Sequence, residues 1–413
     1  MKILHLSTTD HLGGAAIAAY RLHKAMCFKG LNSQMLVSRK SLDKEDAIVE
    51  ICPFKYYFRF VYKQLNKLVR YWINKRYGVF SLDMFGVNIV SHELVQNADI
   101  IYIHYVNDGM LSIRQLNKLF CLNKKYILVL HDMWPLTGGC HHSLECISYT
   151  RECRYCSHLK LSFKYDLSNL IFKLKKYYWG KYHDNVIVVA PSTWMLENIK
   201  KSSLFEMYKS VCIPNPIDLK VFFPQIKETS RLFFKLPLKE KLILFGASGG
   251  IDNPYKGWNE FQQSISFFPK NYCTIVVFGS NYCKEIQESL GQKVIFMGSV
   301  KEEDNMSMLY NAVDVFVSPS LADNLPSTLI EALACGIPVV SFNIGGIPDI
   351  IQHKENGYLA KYKDINDLYQ GIIWAFMEAR DKKDFTSNCY RHIENNYGME
   401  EIIRKHLSLI TNK

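Results

Sequence analysis

The sequence predicts an α/β protein built from two doubly wound parallel-sheet domains. Three observations carry this reading. Short β-branched runs ending at polar residues alternate with stretches of helical period. The alternation restarts after a stretch holding three prolines, Ile213–Pro224 (IPNPIDLKVFFP). The 413 residues, 48% apolar and 22% charged, are enough for two cores.

The elements follow in order. MKILHLSTT is a short apolar first strand. A glycine pair, Gly13 and Gly14, then opens an amphipathic helix on which Ala16, Ala19, Tyr20, Leu22 and Met26 follow the helical period, and Gly30 ends it. SQMLVS, Asp99–Tyr105, Tyr126–Asp132 and Asn185–Ser192 are the next strands. After the proline stretch come Lys241–Ser248, Cys273–Ser280, Lys293–Ser299, Val313–Ser320 and Ile337–Phe342. The expected domains are 1–212, with a Cys-rich loop at 138–160, and 213–390, with 391–413 a helix returning to the first domain. No run reaches the roughly 18 apolar residues of a membrane span. The N-terminus lacks a long apolar segment and a small-residue cleavage site, so it reads as a strand and not as a signal peptide.

Charge is unevenly spread. Of the net +11, residues 1–215 carry 29 Lys and Arg against 16 Asp and Glu, whereas residues 216–413 carry 21 against 23. A basic first half suits an acidic partner or a membrane surface.

The chemistry concentrates in LADNLPSTLIEALACGIPVVSFNIGGIPDII, Leu321–Ile351. Ligands of open parallel sheets bind at the carboxyl ends of strands. The loop after Val313–Ser320 holds Asp323, Asn324 and Leu325, and a helix starts near Pro326 or Ser327, since proline suits a first helical turn. The N–H groups of Ser327 and Thr328 would favour a phosphate there. Carboxylates at Asp323 and Glu331 would accept hydrogen bonds from sugar hydroxyls. The glycines of NIGG allow close backbone approach.

On these residues the chain resembles the retaining, nucleotide-sugar-dependent glycosyltransferases of family 4, which have the two-domain GT-B fold. Their paired acids, Glu-x7-Glu, stand here as Asp323 and Glu331 with seven residues between them. GGAAIAAYRLHKAM, HDMW, IPNPIDLKVFFP, YKGW, MGSVKEEDNMSMLYNAVDVFVSPS and NGYLA resemble the family in the same order. The resemblance implies two Rossmann-like domains facing across a cleft. It implies that Glu331 binds the ribose, that Asp323 contacts the donor sugar, that Lys256 of YKGW stabilises the leaving diphosphate, and that His131 faces the sugar. The basic residue usual upstream of that lysine is missing from FGASGGIDNPYKG. Backbone amides at Gly13, Gly14 and Ser327 would compensate. Pro326 and the shorter Asp323 leave the sugar open. The bland reading of His131 is a hydrogen-bonded strand-end histidine, and His104 of YIHY reads as structural or as support behind a site residue.

Catalysis is expected to need no cofactor, with a nucleotide-diphosphate sugar as donor substrate, since no Asp-x-Asp metal motif stands in a suitable loop. Cys140, Cys146, Cys153 and Cys156 are candidate ligands of a structural zinc. His141, His142 and His158 are alternative ligands, and free thiols are the alternative state. The segment 54–78 carries seven Lys and Arg and no acid, interleaved with aromatics. Such a segment suits peripheral contact with a bilayer, worth about 1 kcal/mol per well-placed basic residue. Packing of its aromatics on the sheet is the alternative, and no nucleic-acid motif supports binding of nucleic acid. The expected protein is a cytoplasmic glycosyltransferase, peripheral at the inner face of the plasma membrane. It would transfer sugar to a lipid-linked glycan of a surface polysaccharide such as lipopolysaccharide, O-antigen, capsule or exopolysaccharide. The alternatives are an enzyme using a small soluble acceptor and a non-catalytic sugar-nucleotide-binding subunit.

Overall fold

The computed structural model describes residues 1–42, 45–51, 71–74, 78–246, 251, 253–281, 283–379 and 382–411. The chain divides into two compact units, Met1–Asn215 with Ile403–Lys413, and Pro216–Ile402. Most of the basic-aromatic segment 54–78 lies outside the described residues.

The first unit holds seven strands: β1 (Lys2–Thr9), β2 (Asn32–Arg39), β3 (Ile48–Glu50), β4 (Ile100–Ile103), β5 (Lys125–Val129), β6 (Val186–Ala190) and β7 (Lys209–Cys212). They form one sheet in the order β3-β2-β1-β4-β5-β6-β7, every pair parallel. β4 and β6 are buried at every position, because a parallel sheet is covered on both faces. The crossovers are α1 (Gly14–Phe28), α2 (Glu93–Asn97), α3 (Ile113–Phe120), α4 (Leu167–Trp179) and α5 (Thr193–Lys201). Side-chain caps start four of them, with His92 Nδ1 accepting from the N–H of Leu94 at α2. Ser112, Asp166 and Ser192 accept from the N–H groups of Gln115, Asn169 and Met195, which satisfies donors a helix start leaves open.

The second unit holds β8 (Leu242–Gly246), β9 (Thr274–Phe278), β10 (Lys293–Gly298), β11 (Val315–Val317), β12 (Val339–Phe342) and β13 (Gly357–Ala360). Their order is β10-β9-β8-β11-β12-β13, again all parallel. The helices are α6 (Lys227–Phe233), α7 (Trp258–Ile265), α8 (Lys284–Ser289), α9 (Glu303–Ala312), α10 (Ser327–Ala334), α11 (Ile347–Ile350), α12 (Ile365–Met377) and α13 (Phe385–Tyr397). Asp314, just before β11, is the buried anchor of this unit. Both of its oxygens lie 3.0 Å from Arg231 Nη2, Lys227 reaches it at 3.0 Å, and the N–H of Leu242 donates to it at 2.7 Å. A buried carboxylate is tolerated when it is paired in this way.

Residues 391–413, expected as one helix, instead hold the end of α13 and all of α14 (Met399–Thr411). The break comes at Gly398, whose N–H closes α13 on Glu394 O. In the first unit Lys125 Nζ donates to Leu409 O at 2.7 Å, and Tyr102 OH lies 3.3 Å from His406 Nδ1. Among the described residues no helix is long and apolar enough to cross a membrane.

Candidate active site

In both sheets the strand order reverses between two neighbours, β1 and β4 in the first and β8 and β11 in the second. The crevice beyond the carboxyl ends of such a pair is where a doubly wound sheet receives its ligand.

In the second unit the chain leaves β8 toward Lys256 and leaves β11 toward Asp323. The two side chains meet there, Lys256 Nζ to Asp323 Oδ2 at 2.7 Å. Both remain partly open, at 23% and 16% exposure, so a ligand can compete for them. Two glycines make this packing achievable. Gly257 has φ +69° and a Cβ there would stand 1.9 Å from Pro319 O; Gly345 has φ +53° and its Cβ would stand 1.9 Å from Asp323 O. The YKGW and NIGG loops therefore press on the Asp323 loop from two sides, where no side chain fits. Leu321 N donates to Tyr255 O at 2.7 Å and completes the contact.

Pro326 caps α10 without a side-chain hydrogen bond, so Ser327 and Thr328 occupy an uncapped first turn with its partial positive charge. Glu331 lies one turn further in and is buried, and Tyr310 OH donates to its Oε2 at 3.0 Å. Asn324 and Leu325 are buried beneath the loop. The structure thus brings together Lys256, Asp323, Asn324, Leu325, Ser327, Thr328 and Glu331. A cation, two carboxylates and a helix start in one crevice can hold a phosphate together with polyol hydroxyls.

In the first unit Gly13 caps α1 with φ +93°, and a Cβ at Gly13 or Gly14 would meet nothing within 4 Å. The helix start is open, and the left-handed backbone requires the glycine at 13. His131 follows β5, and burial pushes its imidazole down to about 4, so it is neutral at pH 7. Its Nε2 lies 3.0 Å from His104 Nδ1, and His104 Nε2 lies 3.0 Å from His5 Nδ1. Burial also lowers His5 and His104. The adjacent Asp132 turns to His141, Oδ2 to Nδ1 at 2.8 Å. Burial opposes charge on both, but each holds its partner ionised, so Asp132 lies below and His141 above its ordinary range. Lys175 is fully buried, lies 3.8 Å from the Trp134 ring centroid and donates to Thr137 O at 2.9 Å. Burial lowers it to about 7.

The zinc expectation does not fit. Among the described residues no three His, Cys, Asp or Glu stand where they could hold a metal. Cys140 and Cys153 are buried, Cys156 is half-buried and Cys146 faces outward. Cys153 Sγ instead accepts from Gly138 N at 3.2 Å. Burial pushes Cys153 up to about 12 and Cys156 up to about 11, and raises Cys140 well above the ordinary range, so these groups are protonated thiols. Spacing brought four cysteines to one loop but could not say which way each points. Sequence reasoning passed over His5. The signal available was a histidine in or just after each of three neighbouring strands.

The sequence profile of the family described as glycosyl transferases group 1 matches residues 242–377, which takes in Lys256, Asp323 and Glu331. An uncharacterised glycosyltransferase of Haemophilus influenzae is 24% identical over 354 residues, covering 82% of this chain and 84% of its own. The UDP-Gal:alpha-D-GlcNAc-diphosphoundecaprenol alpha-1,3-galactosyltransferase of Escherichia coli is 23% identical over 233 residues, 52% of this chain and 59% of that enzyme. Among solved structures, Anabaena HepE in complex with UDP and glucose superposes with a TM-score of 0.68 at 17% identity, covering 100% of both chains. That likeness shows the GT-B fold, two Rossmann-like parallel-sheet domains. The chain is a glycosyltransferase carrying a glycosyl transferases group 1 domain.

Proposed function

We propose that this glycosyltransferase moves a sugar, with retention of anomeric configuration, from a nucleoside-diphosphate donor to a lipid-linked glycan during assembly of a surface polysaccharide. The observation that carries the donor reading is the Lys256–Asp323 pair at the β8/β11 switch point, with Glu331 one turn inside α10. Relatives support the acceptor class, since the Escherichia coli enzyme is named for a sugar on diphosphoundecaprenol. HepE, which shares the fold, is bound to UDP and glucose.

Glu331 accepts from the ribose hydroxyls, and Asp323 accepts from a hydroxyl of the donor sugar. Lys256 then faces the diphosphate. The bond between the anomeric carbon and the diphosphate oxygen breaks, and the electron pair leaves with the diphosphate. Lys256 and the uncapped turn at Ser327 and Thr328 offset that charge where it develops. The acceptor hydroxyl bonds the anomeric carbon on the face the diphosphate left, and its proton passes to the leaving phosphate. Gly13 and Gly14 offer a second open helix start to the diphosphate, and His131 contacts the reacting sugar.

The place of action is the inner face of the plasma membrane. The first half carries the positive charge excess, and exposed aromatics accompany it, with Tyr71 70% and Tyr165 64% exposed and lysines over their rings. Such a mixture suits an anionic headgroup layer.

The test is a transfer assay pairing UDP-, GDP- and ADP-sugars with an undecaprenyl-diphosphate-linked acceptor, the product's anomeric configuration being read by NMR. Transfer with the donor's configuration kept supports the reading. An inverted product sinks retention, a soluble sugar accepted in place of the lipid-linked one sinks the acceptor class, and donor binding without turnover marks a non-catalytic subunit.

A further inference from the structure

The first unit carries a line of imidazoles of which the proposed reaction uses only His131, its last member. His5 lies in β1, His104 directly after β4 and His131 just beyond β5, three strands that are neighbours in the sheet. His5 pairs with Tyr102 in register, and Tyr102 with Ile127. Side chains alternate along a strand, so His104, two beyond Tyr102, shares its face with His5. His131, four beyond Ile127, continues the diagonal. The rings stack as they step, with centroids 5.3 Å apart from His5 to His104 and again from His104 to His131. The nitrogens meet at 3.0 Å in both steps.

Three further groups face the line. Tyr102 stacks on His5 at 4.8 Å, the His23 ring of α1 lies 5.8 Å from it, and His406 of α14 bonds Tyr102 OH. His23 and His406 are neutral as well, since burial takes them down to about 4 and about 3.

Counting protons fixes the direction of the line. A neutral imidazole has one ring N–H, and each ring–ring bond needs one proton. Three rings bring three protons and the two bonds hold two. The third must sit at an end, on His5 Nε2 or on His131 Nδ1. His5 is fully buried, and its Nε2 has no hydrogen-bond partner among the described residues. A buried N–H without an acceptor is the costlier defect, and a buried lone pair without a donor the milder one.

We propose that His5 and His104 are positioning residues that hold His131 in the tautomer protonated at Nδ1. His131 then meets an oxygen as a hydrogen-bond donor through Nδ1, and its Nε2 lone pair is occupied by His104. In the resting enzyme it is no general base. The inference rests on the reading of His131 as a group that contacts the reacting sugar.

The experiment uses the full chain labelled with 15N-histidine. Two-bond proton–nitrogen spectra show which nitrogen of each ring carries the proton, and His131→Asn assigns the signal among the 13 histidines. The expected wild-type pattern for His131 is Nδ1 protonated and Nε2 bare. His104→Phe, which keeps a ring but removes both nitrogens, should let His131 mix tautomers. It should lower kcat roughly tenfold to a hundredfold at unchanged donor KM. His104→Gln, whose amide both donates and accepts, should recover most of both. A wild-type His131 protonated at Nε2 overturns the proposal whatever the activities, and that reading needs no variant of His104 to fold. So does a His131 signal unmoved in folded His104→Phe. If the tautomer responds as expected but His131→Asn transfers sugar normally, the line stands and the substrate role of His131 falls.

Discussion

The two sheets share one winding, with strand order reversing beside the first strand of each, yet they fill the crevice at that point differently. In the first unit neutral rings bond one another across the strands, His5 within β1 and His104 and His131 just beyond β4 and β5. In the second the strands lead to opposite charges held partly open, Lys256 and Asp323. The contrast shows topology supplying a place and side chains deciding its use. A buried line of neutral donors and acceptors can fix a direction without holding charge. An open ion pair can exchange its partner for a charged ligand. The second unit holds the buried Asp314–Arg231 pair at the opposite end of the sheet, with the partly exposed Lys227 beside it. The buried Asp314 before β11 and the partly open Asp323 after it are therefore separated by one strand.

That separation can be broken from the structural end. Asp314→Asn leaves the Arg231 guanidinium buried without its carboxylate, and such losses cost about 3–5 kcal/mol. The expected result is a large fall in denaturant stability with donor affinity unchanged in the folded fraction. From the functional end, Lys256→Ala should slow transfer about 10²–10³-fold, because the charge on the leaving diphosphate loses its cation. Steady-state kinetics alongside a thermal melt would show the rate falling while the melt barely moves. Gly345→Ala should cost about 1–3 kcal/mol, since its φ of +53° disfavours a side chain and the new Cβ would meet Asp323 O at 1.9 Å. Urea unfolding measures that cost.

A smaller effect sharpens the contrast by pH. His131 and His23 titrate near 4 in the folded chain and near 6.5 when unfolded. The unfolded state therefore binds more protons between these values, and stability falls as pH drops through that window. The first unit should lose hydrogen-exchange protection, corrected for intrinsic rates, between about pH 6.5 and 4. Equal loss in both units would contradict the assignment of these neutral histidines as the source.

Much of this was legible in the sequence because it is local. The buried strands β4, β6, β8 and β9 are continuous apolar runs, and α10 starts where Pro326 and Ser327 predict. The close spacing of Asp323 and Glu331 singled out the loop and helix start after β11 before any fold was known. What stayed hidden depends on distant partners. β3, β7 and β13 lie at sheet edges, have only three or four residues and lack an apolar run. The His5–His104 bond joins residues 99 apart, and no local pattern announces it. The cysteine loop misled for the same reason, since spacing in the chain does not give the direction of a thiol. Gly345 was visible as a residue, but the carbonyl it makes room for was not.

The central claim is that the nucleotide sugar binds where β8 and β11 part. The most direct measurement is the thermal shift given by UDP-, GDP- and ADP-sugars to the wild-type chain and to Glu331→Ala. One donor class should stabilise the wild type, and that shift should vanish in a Glu331→Ala protein that melts normally without ligand. An undiminished shift in the variant, or none from any nucleotide sugar with well-folded wild type, would contradict the assignment of the donor site.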